Sequence, residues 1–498
     1  MAVLFLLLIF IVCLATILYY KYVYIYNKYL KCFPCPPEVP ILGHALDFTS
    51  DKGILEVLMG YINNYGDTVR IKTGPKRQLL LTSNHKLYEL LLPKMEFVKK
   101  SMDYKFFQRW LGTGLLTSEG TKWKKHRQVL TPTFHFNLLE DFLEVFESNS
   151  KILVEEFKKH LDDTSVDIYR FVNLCTLDII CETTMGTSVK AQENSDSEYV
   201  QSVKNMLDLI MGRVFTPHKL FDWIYFFTED YKKEHKALKI LHSHTWDVIK
   251  RRRVLYLDAL AKGVEVKQRK ALLDLLLELN INGQHLSLEE IREEVDTFMF
   301  AGHHATASAI SFSLFCLANH PEEQAKVLAE QKKIFGNDFD RSVSSRDLKS
   351  MQYLDLFIKE TLRLYPPGPF YSRELDHDVP YEGTILPKGL TITLFAYALH
   401  RNPAYFPEPE KFSPSRFENV DGKLPFIYLP FSAGPRNCIG HRFAVAEMKS
   451  VISRIVRTFE LLPAIPAHEL QIASQIVLIS TNGVRIRFKK RNQHTGTF

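Results

Sequence analysis

The stretch "FSAGPRNCIGHRF" (Phe431–Phe443) sets one cysteine between glycines, with an arginine two residues before it and a helix-like run after it. That setting suits a thiolate ligand, because a helix N-terminus and a nearby cation both lower a thiol's pKa. Gly434 and Gly440 let the backbone approach a flat group closely. Taken alone, the stretch also fits a buried structural cysteine in a turn.

The rest of the chain narrows the choice. It has 498 residues, 46% hydrophobic and 24% charged, with a formal net charge of +6. Those values are ordinary for a globular protein with a sizeable core. The one dense basic tract, "KRRRV" (Lys250–Val254), reads as a solvated helix end, so no nucleic-acid partner is expected. Seven scattered cysteines do not make a disulfide framework. "CFPC" (Cys32–Cys35) has C-x-x-C spacing, but no second pair follows it.

Residues 2–20, "AVLFLLLIFIVCLATILYY", carry no charge and have about the length a membrane-crossing helix needs. Lys21, Lys28 and Lys31 follow, which favours a retained anchor with the body on the cytosolic side. "CFPCPPEVP" (Cys32–Pro40) cannot be helix, since proline lacks the N–H. It reads as a stiff hinge. Strand alternation is expected around the Gly-Pro turn of "DTVRIKTGPKRQLLLTS" (Asp67–Ser83). It recurs in "TILPKGLTITLFAY" (Thr384–Tyr397) and in a last hairpin, "SQIVLISTNGVRIRF" (Ser474–Phe488), turning at Asn482-Gly483. From about Asn84 to Lys359 the periodicity is helical. The run from Leu288 to Pro321 is apolar through its middle and is expected to cross the core. The fold class is therefore mainly α with small β-sheets, in one large domain.

Upstream of the cysteine, "ETLR" places Glu360 and Arg363 three apart on one helix face, within ion-pair reach. "FSPSRF" supplies Arg416, and "WKKHR" supplies Trp123 and Arg127. The pattern F-x-x-G-x-R-x-C-x-G, met at Phe431, Gly434, Arg436, Cys438 and Gly440, resembles the haem-binding loop of cytochromes P-450. E-x-x-R followed by Arg416, in this order before this cysteine, resembles the same family over nearly all of the chain. "WLGTGLLTSEGTKW", "LDIICETTMGTSV", "EVDTFMF" and "LTPTFHF" are similar to the branch containing the fatty-acid ω-hydroxylases. The terminal "IVLISTNGVRIRF" is similar to its insect members.

The resemblance implies a membrane-bound haem-thiolate monooxygenase acting on a fatty acid or other lipophilic compound. It implies an anchor at 1–20, a basic, Pro-rich hinge at 21–40 and a cytochrome P-450-type catalytic domain at 41–498. It further implies haem b (iron protoporphyrin IX) ligated by Cys438. Trp123, Arg127, Arg373 and Arg436 would face its propionates, where a guanidinium offers a carboxylate two parallel donors. Electrons would come from NADPH through NADPH-cytochrome P-450 reductase, with cytochrome b5 a second candidate donor, at the endoplasmic reticulum membrane. Lys122, Lys124, Lys125, Arg442 and Lys449 are candidate docking charges. Trp110, Leu111, Leu115, Phe298, Ala301, Ala305, Pro369 and Phe370 are candidate pocket residues, each equally consistent with core packing.

One segment departs from the family. Its oxygen-activating stretch normally reads G-x-D/E-T-T, and here the chain reads "AGHHAT" (Ala301–Thr306). His304 stands where the acid usually is, and Ala305 where the key threonine is. Ala301 stands where many branch members carry the glutamate that esterifies the haem, so covalent attachment there is excluded. A thiolate favours O–O cleavage by pushing electron density into the iron, but protons must also be delivered. Ala305 cannot hydrogen-bond, and Thr306 lies about 100° further around the helix. His304 titrates near neutrality and is a candidate relay. Two other readings stay open: a haem-thiolate isomerase or dehydratase acting on a lipid peroxide, and a haem-binding protein with weak catalysis.

Overall fold

A computed structural model describes residues 2–40, 42–49, 53–73, 77–134, 136–263, 271–278, 280–281, 284–418 and 425–491. Its centre is the helix Leu288–Asn319, which starts on a capping box. Glu290 N–H donates to Ser287 Oγ (3.2 Å), while Ser287 N–H donates to Glu290 Oε2 (3.0 Å). From Ile291 to Phe300 every residue is buried, charged ones included. A helix buried all round must cross the core, as expected. Its acids are each satisfied. Glu294 accepts from Leu115 N–H (3.1 Å) and pairs with His126 (2.7 Å), and Asp296 accepts from Arg292 (2.6 Å) and Thr245 (2.7 Å).

The helix Tyr169–Met185 lies along one side of this central helix. The two approach closely at Gly302, where any Cβ would strike the Ile180 side chain. The helix His441–Thr458, which follows the cysteine loop, packs Phe443 edge-on against Phe142 and Phe146.

Strands Thr68–Lys72 and Gln78–Thr82 pair antiparallel, from Thr68↔Thr82 to Lys72↔Gln78. Thr391–Leu394 joins parallel to the second of them, and Tyr371–Glu374 completes the four-stranded sheet. Strands form in the three stretches where alternation was expected, but Tyr371–Glu374, Phe459–Pro463 and Val166–Asp167 lie outside them, and one turn needs correction. Asn482-Gly483 does not close a hairpin: Leu478–Ser480 pairs with Ile472–Ser474, whereas Arg485–Lys490 pairs with Phe459–Pro463 and Val166–Asp167. Asn482 instead holds the loop through its side chain, donating to Glu469 O (2.9 Å) and accepting from Gln471 N–H (3.1 Å).

The N-terminal helix runs Ala2–Leu30, past the uncharged stretch that ends at residue 20. Its end is docked on the body. Leu30 is buried, and Thr384 Oγ1 donates to Tyr29 O (2.6 Å). Val3, Phe5, Leu6, Phe10 and Ile17 are exposed along it. Among the described residues no helix is long and apolar enough to cross a membrane; several side chains of this helix lie outside the described set.

Candidate active site

The cysteine loop turns at Gly434, in the left-handed region (φ +70°), and a Cβ there would strike the Leu92 carbonyl. Gly434 thus answers to the backbone turn rather than to a ligand. Gly440 differs, since a Cβ there would meet nothing within 4 Å. Cys438 N–H donates to Phe431 O (2.9 Å), and the Phe431 ring stacks on His441 (4.1 Å). Arg127 clamps the loop by donating to Asn437 O (2.9 Å) and Asn437 Oδ1 (2.5 Å).

The sequence pointed to a thiol of lowered pKa. In the structure burial pushes the Cys438 thiol up, with the Gly440 N–H and Arg127 opposing it. Yet the Cys438 side chain is exposed. A side chain both deep in the fold and exposed must face an internal hollow. The central helix shows the same feature: Ala301 is exposed and Ala305, one turn on, half-buried, although residues 291–300 are all buried.

Three cations, Lys100, Arg373 and Arg436, converge. Lys100 is 8% exposed and Arg373 2%. Burial, then Arg373 and Arg436, hold the Lys100 ammonium far below its ordinary range. Arg436 is pushed down to about 9 by burial and Arg373. Arg436 donates to Val98 O, Leu115 O and Ser118 O, and lies over the Trp123 ring (4.2 Å). Arg373 donates to Ser372 O (3.1 Å), and Lys100 sits over the Tyr104 ring (4.3 Å). Among the described residues none of the three is ion-paired. Buried unpaired charge is costly, and a dianionic group seated there would offset that cost. The donor set therefore fits a haem, whose iron Cys438 would ligate and whose carboxylates these cations would meet. Lys100 was invisible in the sequence; it is one of a lysine pair in a loop, and its neighbour Lys99 is taken up by Glu374 (2.6 Å).

Glu360 and Arg363 are both fully buried and joined bidentately (2.8 and 2.9 Å). Arg416 donates to the same carboxylate (3.2 Å) and Arg363 to His400 O (2.9 Å). The triad sits between the helix Gln352–Leu364 and the turn at Pro414–Phe417.

His303 and His304 lie with ring centroids 4.1 Å apart. His304 Nδ1 meets the Tyr169 hydroxyl (3.2 Å). Among the described residues, His304 Nε2 and both ring nitrogens of His303 have no hydrogen-bond partner. Burial holds His303 down at about 4 and pushes His304 far below its ordinary value. Thr306 is buried, and its hydroxyl donates to Gly302 O (2.8 Å).

A cavity of about 510 Å³ opens beside this region, lined by Leu58, Leu79, Leu116, Met211, Phe300 and Phe370 among others. Of the pocket residues expected from sequence, only Phe370 lines it. Trp110 packs edge-on against Phe300, Leu111 is fully buried with Leu207 and Ile210, and Phe298 points to Phe134 (5.1 Å). Leu115 is buried core, and Pro369 accepts from Tyr397 N–H (3.0 Å). Ala301 and Ala305 face the hollow instead. Of the docking charges, Lys124, Lys125 and Arg442 are exposed. Lys449 is not: it is buried against Asp355 (2.8 Å). Lys122 is tied to Glu293 (2.8 Å).

The family profile "Cytochrome P450" matches residues 33–486. The chain is 42% identical over 483 residues to "Cytochrome P450 4V2" of Homo sapiens, covering 94% of this chain and 91% of that one. It is 43% identical to the protein of that name from Pongo abelii, with the same coverage. It is 38% identical over 485 residues to "Cytochrome P450 4c3" of Drosophila melanogaster, covering 93% and 90%. A profile match over residues 33–486 and relatives 38–43% identical over nine-tenths of both chains show that the chain belongs to the cytochrome P450 family, haem-thiolate monooxygenases among the oxidoreductases.

Proposed function

We propose that this monooxygenase inserts one oxygen of O2 into a fatty acid or other lipophilic compound, using NADPH-derived electrons passed on by a flavin reductase. The observation that carries the substrate class is the cavity. Its described lining is mostly aliphatic and aromatic, with Arg77 already paired to Asp103. Such a pocket suits a long apolar ligand.

Haem b would be held in the hollow by Cys438, with Trp123, Arg127, Arg373 and Arg436, and in addition Lys100, toward its propionates. When bound, it supplies the redox chemistry that activates O2. The chain supplies the rest. Arg127 fixes the loop through Asn437, and the Glu360–Arg363–Arg416 triad braces the fold. Ala301 and Ala305 leave room for substrate, and Ala301 has no carboxylate for covalent attachment. Proton delivery falls to water in the hollow or to His304, because Thr306 has committed its hydroxyl to Gly302.

Residues 1–20 are proposed to anchor the protein in the endoplasmic reticulum membrane, 21–40 to link, and 41–498 to form the cytosolic catalytic domain. The exposed apolar side chains of the first helix support this, as do Phe221, Trp223 and Phe227, exposed near the cavity wall at Leu220 and Phe221.

A second reading draws on the same segment. The missing hydroxyl at 305 favours chemistry that needs no proton relay, such as rearrangement of a lipid peroxide. Reconstitution with reductase, NADPH and isotopically heavy O2 separates the two. Monooxygenation puts one heavy oxygen into the product. Product formed from lipid peroxides without reductase, with no heavy oxygen incorporated when reductase is present, establishes the second reading instead.

A further inference from the structure

Among the described residues the ionised side chains lining the cavity are two, Arg77 and Asp103. Arg77 is set just before the second strand, where Thr73 N–H donates to Arg77 O (2.9 Å). Asp103 comes from the turn Met102–Phe107, and Ser101 Oγ lies 3.4 Å from its Oδ2. One Nη of the guanidinium donates to Asp103 Oδ1, and each of the two side chains keeps 22% of its surface accessible. Thr73 and Ser101 line the cavity as well, so these four residues form one polar stretch of its wall. The wall beyond Asp103 is aromatic. Tyr104 meets Phe107 (6.0 Å between ring centroids), and Phe107 stands edge-on to Phe300 of the central helix (5.5 Å).

An ion pair in a cavity wall carries no net charge. A carboxylate brought to it is drawn by Arg77, but it is repelled by Asp103 at nearly the same range and gives up its hydration. A hydroxyl is uncharged, and it both donates and accepts. The pair offers a match for each role: guanidinium N–H groups beyond the one spent on Asp103, and a carboxylate oxygen held only by the long Ser101 contact. An ester can use the guanidinium alone. Lys100 does not line the cavity; it sits over the Tyr104 ring (4.3 Å), in the cation group placed toward the haem carboxylates.

We propose that the Arg77–Asp103 pair is a head-group subsite, which selects a long, uncharged apolar compound with a hydroxyl at one end over a fatty acid of the same length. The inference rests on the cavity being the substrate site. With the head held beside the first sheet, the chain lies along Tyr104 and Phe107 towards Phe300. Ala301, the next residue, faces the hollow, so the end remote from the hydroxyl is the one presented to it. A fatty acid still enters on its chain, but gains nothing at its head.

The test is a spectral titration of the full-length, haem-loaded protein in lipid with hexadecanol, methyl hexadecanoate and hexadecanoic acid, at matched concentrations in the bilayer. Hexadecanol should bind on the order of tenfold more tightly than the acid, with the ester between them. Asp103→Asn removes the repelling charge and leaves Arg77 unpaired, so the acid should gain about tenfold and overtake the alcohol. Arg77→Gln should weaken hexadecanol about fivefold and leave the acid no tighter. An unaltered carbon-monoxide spectrum of each reduced variant shows that it is folded and loaded. Acid that binds the unaltered protein as tightly as the alcohol overturns the subsite while the lipid cavity stands, and so does an Asp103→Asn protein in which the acid gains nothing. Absence of any spectral shift with all three compounds overturns both.

Discussion

Replacing Ala305 by threonine returns a hydroxyl to the face of the central helix that looks onto the hollow. Ala305 is half-buried and Ala301, one turn before it, is exposed, so the two added heavy atoms enter open space and not packed core. The change costs the helix roughly 0.5 kcal/mol in propensity. A positioned proton donor contributes on the order of 10²–10⁴ in rate, or about 3–5 kcal/mol of barrier. Water in the hollow already supplies part of this, so the expected gain is at least tenfold in product per NADPH consumed, with a matching fall in released peroxide. The assay is reconstituted turnover on a fatty-acid panel, with product, NADPH and peroxide counted in one vessel. Thr306→Val is the control. Its hydroxyl is bonded to Gly302 O at 2.8 Å, so coupling should stay within about twofold. A folded, haem-loaded Ala305→Thr protein with unchanged coupling would refute the reasoning, as would a Thr306→Val protein that had lost it.

Three further outcomes follow from buried groups and from the cavity. Glu360→Gln leaves the buried Arg363 guanidinium without its carboxylate and should cost about 3–5 kcal/mol, seen as a lower urea midpoint; retention of the native midpoint contradicts the triad's role. His303 is neutral when folded, with a value of about 4 against 6.5 unfolded. The unfolded chain then binds the extra proton, so stability falls as pH drops from 6.5 towards about 4, by roughly 3 kcal/mol in all. His303→Gln should flatten that part of the urea-midpoint profile, and an unchanged slope counts against it. Met211→Trp fills the cavity and should weaken a long-chain fatty acid's spectral binding at least tenfold with the haem spectrum intact; unaltered binding would mean that the lipid sits elsewhere.

What could be read in the sequence was chemistry confined to short spacing. Cys438 with its glycines, and Glu360 three residues before Arg363, declare their roles locally because a loop and one helix turn bring the atoms together. The hollow and its cations could not be read that way. Arg373 and Arg436 were expected there from the resemblance and not from spacing, and Lys100, from a third distant segment, is brought to them only by the fold. The same holds for the pocket: Phe298 and Phe300 are indistinguishable in an apolar run, but two residues along a helix is over half a turn, so one faces Phe134 and the other the cavity. Asn482-Gly483 misled because a turn signal fixes the bend and not the partner strands. His304 was legible as a departure, but its contact with Tyr169 needed the neighbouring helix.

The most direct measurement is the carbon-monoxide difference spectrum of the reduced, full-length protein beside Cys438→Ser. Cys438 as the haem's thiolate ligand requires a red-shifted, thiolate-type Soret band in the unaltered protein and its loss in the variant. A thiolate-type band that survives Cys438→Ser would contradict the assignment of the hollow and its cysteine as the centre of this protein's chemistry.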